Sequence, residues 1–409
     1  MKCRHCAAEL ERVCLDLGSA PPSNAYLTEA ALRAPEAWYP LRLLVCERCW
    51  LVQTEDHAGR DELFSADYAY FSSFSSSWLA HAKAYVEAMR ERFGLTKASL
   101  VCEVAANDGY LLRFVQEAGI PCFGVEPTTS TANAARSLGI DIVERFFGVD
   151  LAQELAAAGR QVDLVAANNV LAHVPDINDF VRGFALLLKT DGVATFEFPH
   201  LLRLLAENQF DTVYHEHYSY LSLGTVMHVF DAGGLAVFDV EELPTHGGSL
   251  RVFAQRRGTG PRARTGAVDR ILADEAGAQL ASVAGYTGLQ PRVDKLKDDF
   301  VAFLIEARRA GRKVAAYGAA AKGNTLMNYA GVRPDHIAFV VDRNPAKQGR
   351  YMPGSRIPIV GEERLREARP DDIVLLPWNL RDELMTQLDY VRSWGGRFVT
   401  AVPSLRCTP

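Results

Sequence analysis

The sequence predicts an α/β chain in three parts: a small four-cysteine module at the N-terminus followed by two doubly wound α/β units. Three observations carry this. The pairs Cys3-x-x-Cys6 and Cys46-x-x-Cys49 fall within the first fifty residues, strand and helix signals alternate from Ala98 to Phe198, and a second alternation runs from Lys313 to Leu376. Such alternation marks parallel sheets covered by helices on both faces. At 409 residues the chain exceeds what one core organises, so residues 1–75, 76–255 and 256–409 are expected to form the three parts.

Composition bounds the function. Hydrophobic residues at 48% and charged residues at 23% are those of an ordinary enzyme, and a net charge of -6 speaks against a nucleic-acid partner. No apolar run approaches the roughly 20 residues that span a bilayer, and Met1-Lys-Cys-Arg-His-Cys6 has no signal-peptide core, so a cytoplasmic monomer without a membrane partner is expected. In a reducing compartment, paired cysteines point to metal. Cys3, Cys6, Cys46 and Cys49 offer four thiolates, which fill a tetrahedral zinc and leave no open position; the zinc is expected to be structural and to replace a hydrophobic core. Cys14, Cys102, Cys122 and Cys407 read as ordinary thiols.

After the module, Trp78, Leu79, Ala82, Tyr85, Val86, Met89 and Phe93 recur at helical spacing and lead into the apolar strand Ala98–Val104. Further strands are expected at Cys122–Glu126, Ile140–Val143, Val162–Ala167 and Val193–Phe198, with Ser249–Phe253 extending the sheet. Between the first strand and the helix Tyr110–Val115 lies Glu103-Val-Ala-Ala-Asn-Asp-Gly109, the place where an α/β sheet holds its ligand. A pyrophosphate needs glycines for close backbone approach, and Ala105 and Ala106 stand there instead; a sulfonium cofactor without phosphate suits this acidic loop better. The loop, with Ala105, Asn107 and Gly109, therefore favours S-adenosylmethionine over NAD. Glu126, about twenty residues on, ends the second strand where a carboxylate accepts ribose hydroxyls.

In the last unit, Tyr317-Gly-Ala-Ala-Ala-Lys-Gly-Asn324 follows a strand and opens a helix, so its N–H groups, Lys322 and Asn324 can hold phosphate. Asp342-Arg-Asn-Pro-Ala-Lys-Gln-Gly349 ends the next strand beside it. A vestigial NAD fold and a plain scaffold also fit this unit, but a grip on a nucleotide diphosphate is the favoured reading, because Lys322 and Asn324 offer phosphate donors and nothing nearby resembles a hydride-transfer site.

The densest chemistry is Asp211-Thr-Val-Tyr-His-Glu-His-Tyr-Ser-Tyr-Leu221, with two imidazoles and three phenols. His215 and His217 share a face only if the segment is extended, and the helical His-Glu-x-x-His pattern of zinc proteases is absent, which leaves acid-base chemistry. The structural alternative is an aromatic-rich buried turn.

The series of motifs resembles the sugar C-methyltransferases that act on nucleotide-linked deoxy-keto-sugars in antibiotic biosynthesis. The resemblance rests on the cysteine knuckles, Asp67–Ser73, Glu103–Leu112, Asn168–His173, Glu197–His200, Asp211–Leu221, Thr245–Leu250 and Tyr317–Asn324, in that order. It departs at Ala105-Ala106, where similar sequences often carry Gly-Ser. The resemblance implies a Rossmann-like S-adenosylmethionine domain, with Glu103 and Asn168 at the cofactor, and a dTDP-linked 4-keto-deoxysugar as substrate, methylated at C3 or C5. It also implies His217 as base, Glu216 orienting it, Tyr214 at the sugar, His173 toward the enolate, and Tyr68, Tyr70 and His200 at the substrate. An NAD-dependent sugar-nucleotide oxidoreductase and a non-enzymatic binding protein are the competing classes.

Overall fold

The computed structural model describes residues 1–57 and 71–409. Its three sheets correspond to three stretches of sequence that are not independent of one another. The first is a four-stranded antiparallel sheet of β1 (Arg12–Ala20), β2 (Tyr39–Val45), β3 (Val52–Thr54) and β9 (Ser219–Tyr220), in that order. The N-terminal part thus has a regular sheet with an apolar face of its own in addition to the zinc expected to replace a hydrophobic core. Leu15, Leu17, Leu41 and Leu43 alternate inward along β1 and β2. Its fourth strand comes from the histidine segment, with Tyr220 opposite Val52 and Ser219 opposite Gln53.

The central sheet holds β4 (Val101–Val104), β5 (Cys122–Val125), β6 (Asp141–Val143), β7 (Val162–Asn168), β8 (Leu188–Pro199), β10 (Leu235–Leu243) and β11 (Ser249–Arg256) in the order β10-β11-β8-β7-β4-β5-β6. From β8 to β6 the pairing is parallel, whereas β10 and β11 are antiparallel. The strand at Ser249 extends the sheet as expected, but between β8 and an unanticipated outer strand, β10, whose burial is mixed along its length. The chain reverses direction in the sheet on either side of β4, and ligand crevices open at the carboxyl ends of strands at such a point.

Local signals explain the covering helices. Ser75 caps the helix Ser76–Phe93 by accepting from Trp78 N, Gly94 at φ 61° ends it, and Ala82, Tyr85, Val86 and Met89 form its buried stripe. Asp176 likewise caps Ile177–Leu187, which buries Ile177, Phe180, Val181, Phe184 and Leu187, each burial contributing about 1.5–3 kcal/mol.

The last sheet has β12 (Val314–Tyr317), β13 (Val340–Val341), β14 (Ile359–Val360), β15 (Asp372–Leu375), β16 (Arg397–Thr400) and β17 (Arg406–Thr408) in the order β14-β13-β12-β15-β16-β17, parallel except for β17. One apolar cluster runs from Leu15 and Leu43 of the first sheet through Phe210 and Val213 to Phe300, Leu326 and Val340. Another joins Cys3, Cys46 and Leu51 to the central sheet. The histidine segment lies where these cores meet. Among the described residues no helix is long and apolar enough to cross a membrane.

Candidate active site

The two cysteine loops are the same turn made twice. Ala7 N donates to Cys3 O at 3.0 Å and Trp50 N to Cys46 O at 2.8 Å, with Ala7 and Trp50 at φ 58° and 60°. The return bonds, Cys3 N to Ala8 O and Cys46 N to Leu51 O, measure 2.8 and 3.0 Å. All four sulfurs lie within 4.8 Å of one another, the Cys3–Cys49 and Cys6–Cys46 pairs at 3.5 Å. Zinc–sulfur bonds of about 2.3 Å place tetrahedral thiolates roughly 3.8 Å apart, so the set fits a structural zinc.

At the switch point, β4 runs into a turn with Ala105 at φ 60°, Asn107 at φ 48° and Gly109 at φ 79°. The alanine pair that departs from Gly-Ser has a local compensation: a Cβ on Gly124 of β5 would lie 2.6 Å from the Ala106 methyl, so Gly124 makes room for Ala106. Gly109 is fixed as glycine, since a Cβ there would stand 2.4 Å from Ile140 Cδ1. Glu126 accepts from Asn107 N at 3.0 Å and Thr128 N at 2.9 Å, which ties the first two strand-to-helix loops together. Burial raises its pKa above the usual carboxylate range, against those two N–H groups. A carboxylate has about four acceptor sites, which a ribose diol would share with the Thr128 and Thr131 hydroxyls beside it. Glu103 is fully buried beside the Tyr110 phenol, and burial holds its carboxyl well above the usual range. Asp108 Oδ1 and Asn168 Oδ1 are buried acceptors without a hydrogen bond among the described residues. These acceptors suit the ammonium and hydroxyls of S-adenosylmethionine. Ser72 N and Ser73 N donate to Asn107 and Asp108 at 2.9 and 3.1 Å, bringing the segment after residue 70 onto this loop. Tyr68 and Tyr70 lie outside the described residues.

The histidine segment is a turn, His217 N donating to Tyr214 O at 2.9 Å, and the turn separates its two imidazoles. His215 reaches the N-terminal sheet, its Nε2 3.2 Å from Pro40 O and its ring 5.9 Å from that of Tyr39. His217 packs against Tyr214 at 4.0 Å and His173 at 4.5 Å between ring centres. His217 Nδ1 lies 3.0 Å from Thr212 O and His173 Nδ1 2.8 Å from Glu216 O. A carbonyl only accepts, so both rings carry their proton on Nδ1 and present a lone pair at Nε2. Burial, with His173 alongside, holds His217 well below the ordinary histidine pKa, and burial lowers His173 to about 4. Both are neutral at pH 7. The Glu216 carboxyl is buried and accepts from Asn24 N and Nδ2 at 3.3 and 3.1 Å.

The C-terminal unit closes the third side. Lys322 reaches Asn379 Oδ1 at 3.1 Å and His246 O at 3.4 Å and stands 4.8 Å over the Trp378 ring. Trp378 Nε1 donates to Asp211 at 2.7 Å, and burial raises that carboxyl to about 6. The phosphate loop expected at 317–324 is instead engaged with its own chain. Ala319 N donates to Asp342, Ala319 O accepts from Tyr26 and Lys347, and Asn324 Nδ2 donates to Ser23 O. Asn324 therefore joins two parts of the protein, and Lys322 faces the histidines. His200 is also committed elsewhere: its Nε2 lies 2.7 Å from Glu275, which accepts from Leu223 N and Gly224 N at the start of the next helix. Beside Gly247, Trp378 and Asn379 opens a cavity of about 350 Å³ that reaches Arg381 and Arg406.

His246 lies within the Thr245–Leu250 motif but has no role assigned there, and Trp378 lies in no motif singled out in the sequence. Lone residues in loops carry no periodic signal; the two glycines after His246 were the available hint.

A small-residue turn and an acidic second-strand end at a sheet reversal, set beside neutral imidazoles, fit an enzyme that holds a phosphate-free nucleoside cofactor next to acid-base groups. Family models match in succession: a zinc binding domain over residues 3–64, a methyltransferase domain over 78–240 and the C-methyltransferase C-terminal domain over 244–403. C-methyltransferase NovU of Streptomyces niveus is 33% identical over 405 residues, 99% of this chain and 96% of that relative. The chain belongs to the C-methyltransferase family and is an S-adenosylmethionine-dependent enzyme with a zinc-binding module. Among solved structures, magnesium protoporphyrin IX methyltransferase of Synechocystis PCC 6803 with bound S-adenosylmethionine aligns at TM-score 0.34 and 16% identity over 44% of this chain and 79% of that one. A methyltransferase from Clostridium acetobutylicum aligns at TM-score 0.35 and 12% identity over 43% and 91%.

Proposed function

We propose that this enzyme methylates a carbon beside the ketone of a dTDP-linked 4-keto-deoxysugar, C3 in the first place and C5 as the alternative, because both carbons flank the same ketone. The observation that carries this reading is His217, a neutral imidazole whose proton is fixed on Nδ1 by Thr212 O and whose ring rests on Tyr214 and His173. Methylating carbon requires a carbanion, and a proton beside a ketone is removable because charge spreads onto the oxygen; a lone pair at Nε2 is the base such a step needs. Tyr214 lies against that base and supplies a phenol to the sugar. Glu216 orients the cluster through its carbonyl on His173 and its carboxyl on Asn24. When bound, S-adenosylmethionine supplies an electrophilic methyl group; Glu103, Ala105, Asn107, Gly109, Glu126 and Asn168 are the residues proposed to hold it. The sugar diphosphate is assigned to the cavity of Trp378, Arg381 and Arg406, with Lys322 reaching its wall at Asn379. His200 and Asn324 are left out of the substrate set because Glu275 takes His200 Nε2 and Ser23 O takes the Asn324 Nδ2 that would have donated to phosphate.

The test is mass spectrometry of a dTDP-4-keto-2,6-dideoxyhexose incubated with enzyme in D2O, with and without S-adenosylmethionine. The expected result is deuterium at the carbon next to the ketone without the cofactor and a methyl mass with it. Absence of both changes would overturn the proposal.

A further inference from the structure

An enolate needs a hydrogen-bond donor at its oxygen as well as a base at its carbon. The two imidazoles of the His217–His173 pair cannot both serve, since each spends its Nδ1–H on a backbone carbonyl. We infer that His246, which is outside the residues proposed above, donates its Nδ1–H to the ketone oxygen as the enolate forms; this role rests on the proposed function.

Three features of the fold single it out. First, its backbone is held in an unfavourable conformation, φ 55° and ψ 18°, which costs a non-glycine residue on the order of 1–3 kcal/mol and persists where surroundings enforce it. The enforcement is visible. Gly247 and Gly248 follow at φ 91° and 111°; a Cβ on Gly247 would meet Trp378 at 2.6 Å, and one on Gly248 would meet Arg203 at 2.7 Å. Second, the ring is oriented from two sides. Trp78 lies 5.4 Å away, centre to centre, and Nε2 faces Asn169 Nδ2 at 3.3 Å. An amide NH2 only donates, so with Asn169 Nδ2 facing it Nε2 accepts and the proton sits on Nδ1, which has no hydrogen bond among the described residues. Third, the position is between the two halves of the chemistry. Asn169 follows the cofactor-side Asn168, while the carbonyl of His246 takes the Lys322 ammonium from the C-terminal unit. The ring lies within electrostatic reach of both His173 and His217. Burial and Lys322 lower its pKa to about 4, so it is a neutral donor at pH 7.

The experiment compares wild type, His246→Ala and His246→Asn by deuterium uptake from D2O without S-adenosylmethionine, by methyl transfer with it, and by calorimetric binding of the cofactor. Asparagine tolerates positive φ and its amide N–H approximates the position of Nδ1–H. His246→Ala is expected to lower deuterium uptake and kcat together by about 10²–10³, the usual effect of removing one oxyanion donor, with cofactor affinity and melting temperature within error of wild type. His246→Asn is expected to recover at least tenfold of that loss. Unimpaired deuterium uptake by the alanine variant, or no recovery in the asparagine variant, would overturn the role while leaving the proposed function standing. Absence of uptake and methyl transfer in wild type would overturn both.

Discussion

At the residue scale, the catalytic prospects turn on which imidazoles are neutral and where their protons sit. His217 is held well below the ordinary histidine pKa by burial, so its lone pair is present throughout the neutral range. For a base that must be unprotonated, the acid limb of kcat/KM is expected below pH 6.5; a limb at 6.5 or above would contradict the assignment. His217→Asn is expected to lose about 10²–10⁴ in methyl transfer, the usual worth of a general base, and to bind S-adenosylmethionine as wild type does. The same depressed values affect stability. His173 and His246 titrate near 4 in the fold against about 6.5 unfolded, so between these pH values the unfolded chain binds more protons. Stability from these groups is fully present above pH 6.5 and is lost as pH falls toward 4, which a melting-temperature series across that window will read. At the cofactor, Glu126→Gln removes the charge that takes two backbone N–H groups and is proposed to take the ribose; hydrogen bonds to a charged group are worth about 1.5–3 kcal/mol, so calorimetry should show affinity weakened by roughly 10–100-fold.

At the element scale, the strand that matters most is one of the shortest. β9 contributes two residues to the N-terminal sheet, yet it anchors the end of the histidine turn: Thr54 Oγ1 donates to His217 O at 3.0 Å and Thr54 N to Tyr218 O at 3.2 Å. β3, which makes those bonds, begins three residues after Cys49. Metal binding and the base are thus linked through one short strand. Cys46→Ala is expected to release zinc by elemental analysis and to abolish deuterium uptake at the substrate. Cofactor affinity should be largely retained, because the Glu126 carboxylate is held by Asn107 N and Thr128 N of its own strand-to-helix loops. Retained uptake in a zinc-free variant would show that β9 holds without the metal.

At the scale of the whole molecule, the site is made by three parts that share cores. The C-terminal unit grips the start of the histidine segment at two points, through Trp378 on Asp211 and Thr325 on Val213 O at 2.7 Å, and meets the first sheet's side through Tyr26 and Ser23. Trp378→Phe keeps the ring and removes the donor, leaving a buried carboxyl short of one partner at a cost of about 1–3 kcal/mol. Turnover should fall about tenfold, for 1.4 kcal/mol corresponds to a factor of ten. Cofactor affinity should be unchanged; an equal loss in cofactor binding would mean that the contact supports the central domain generally.

Spacing in the sequence was enough to locate what local geometry governs. A Cys-x-x-Cys pair closes one turn, an apolar run makes one strand, and a turn of small residues followed by an acid twenty positions on makes one crevice, because each depends on neighbours along the chain. The resemblance read from the ordered motifs agrees with the family the chain belongs to. What only the tertiary structure decided is how side chains from distant positions are divided among partners. His215 turns to Pro40, 175 residues away, while His217, two positions on, turns to Thr212; Lys322 crosses to His246 rather than to a phosphate loop; His200 goes to Glu275. The cause is physical: a buried polar group takes whichever partner the packing of separate elements brings within hydrogen-bond distance, and no local pattern encodes that.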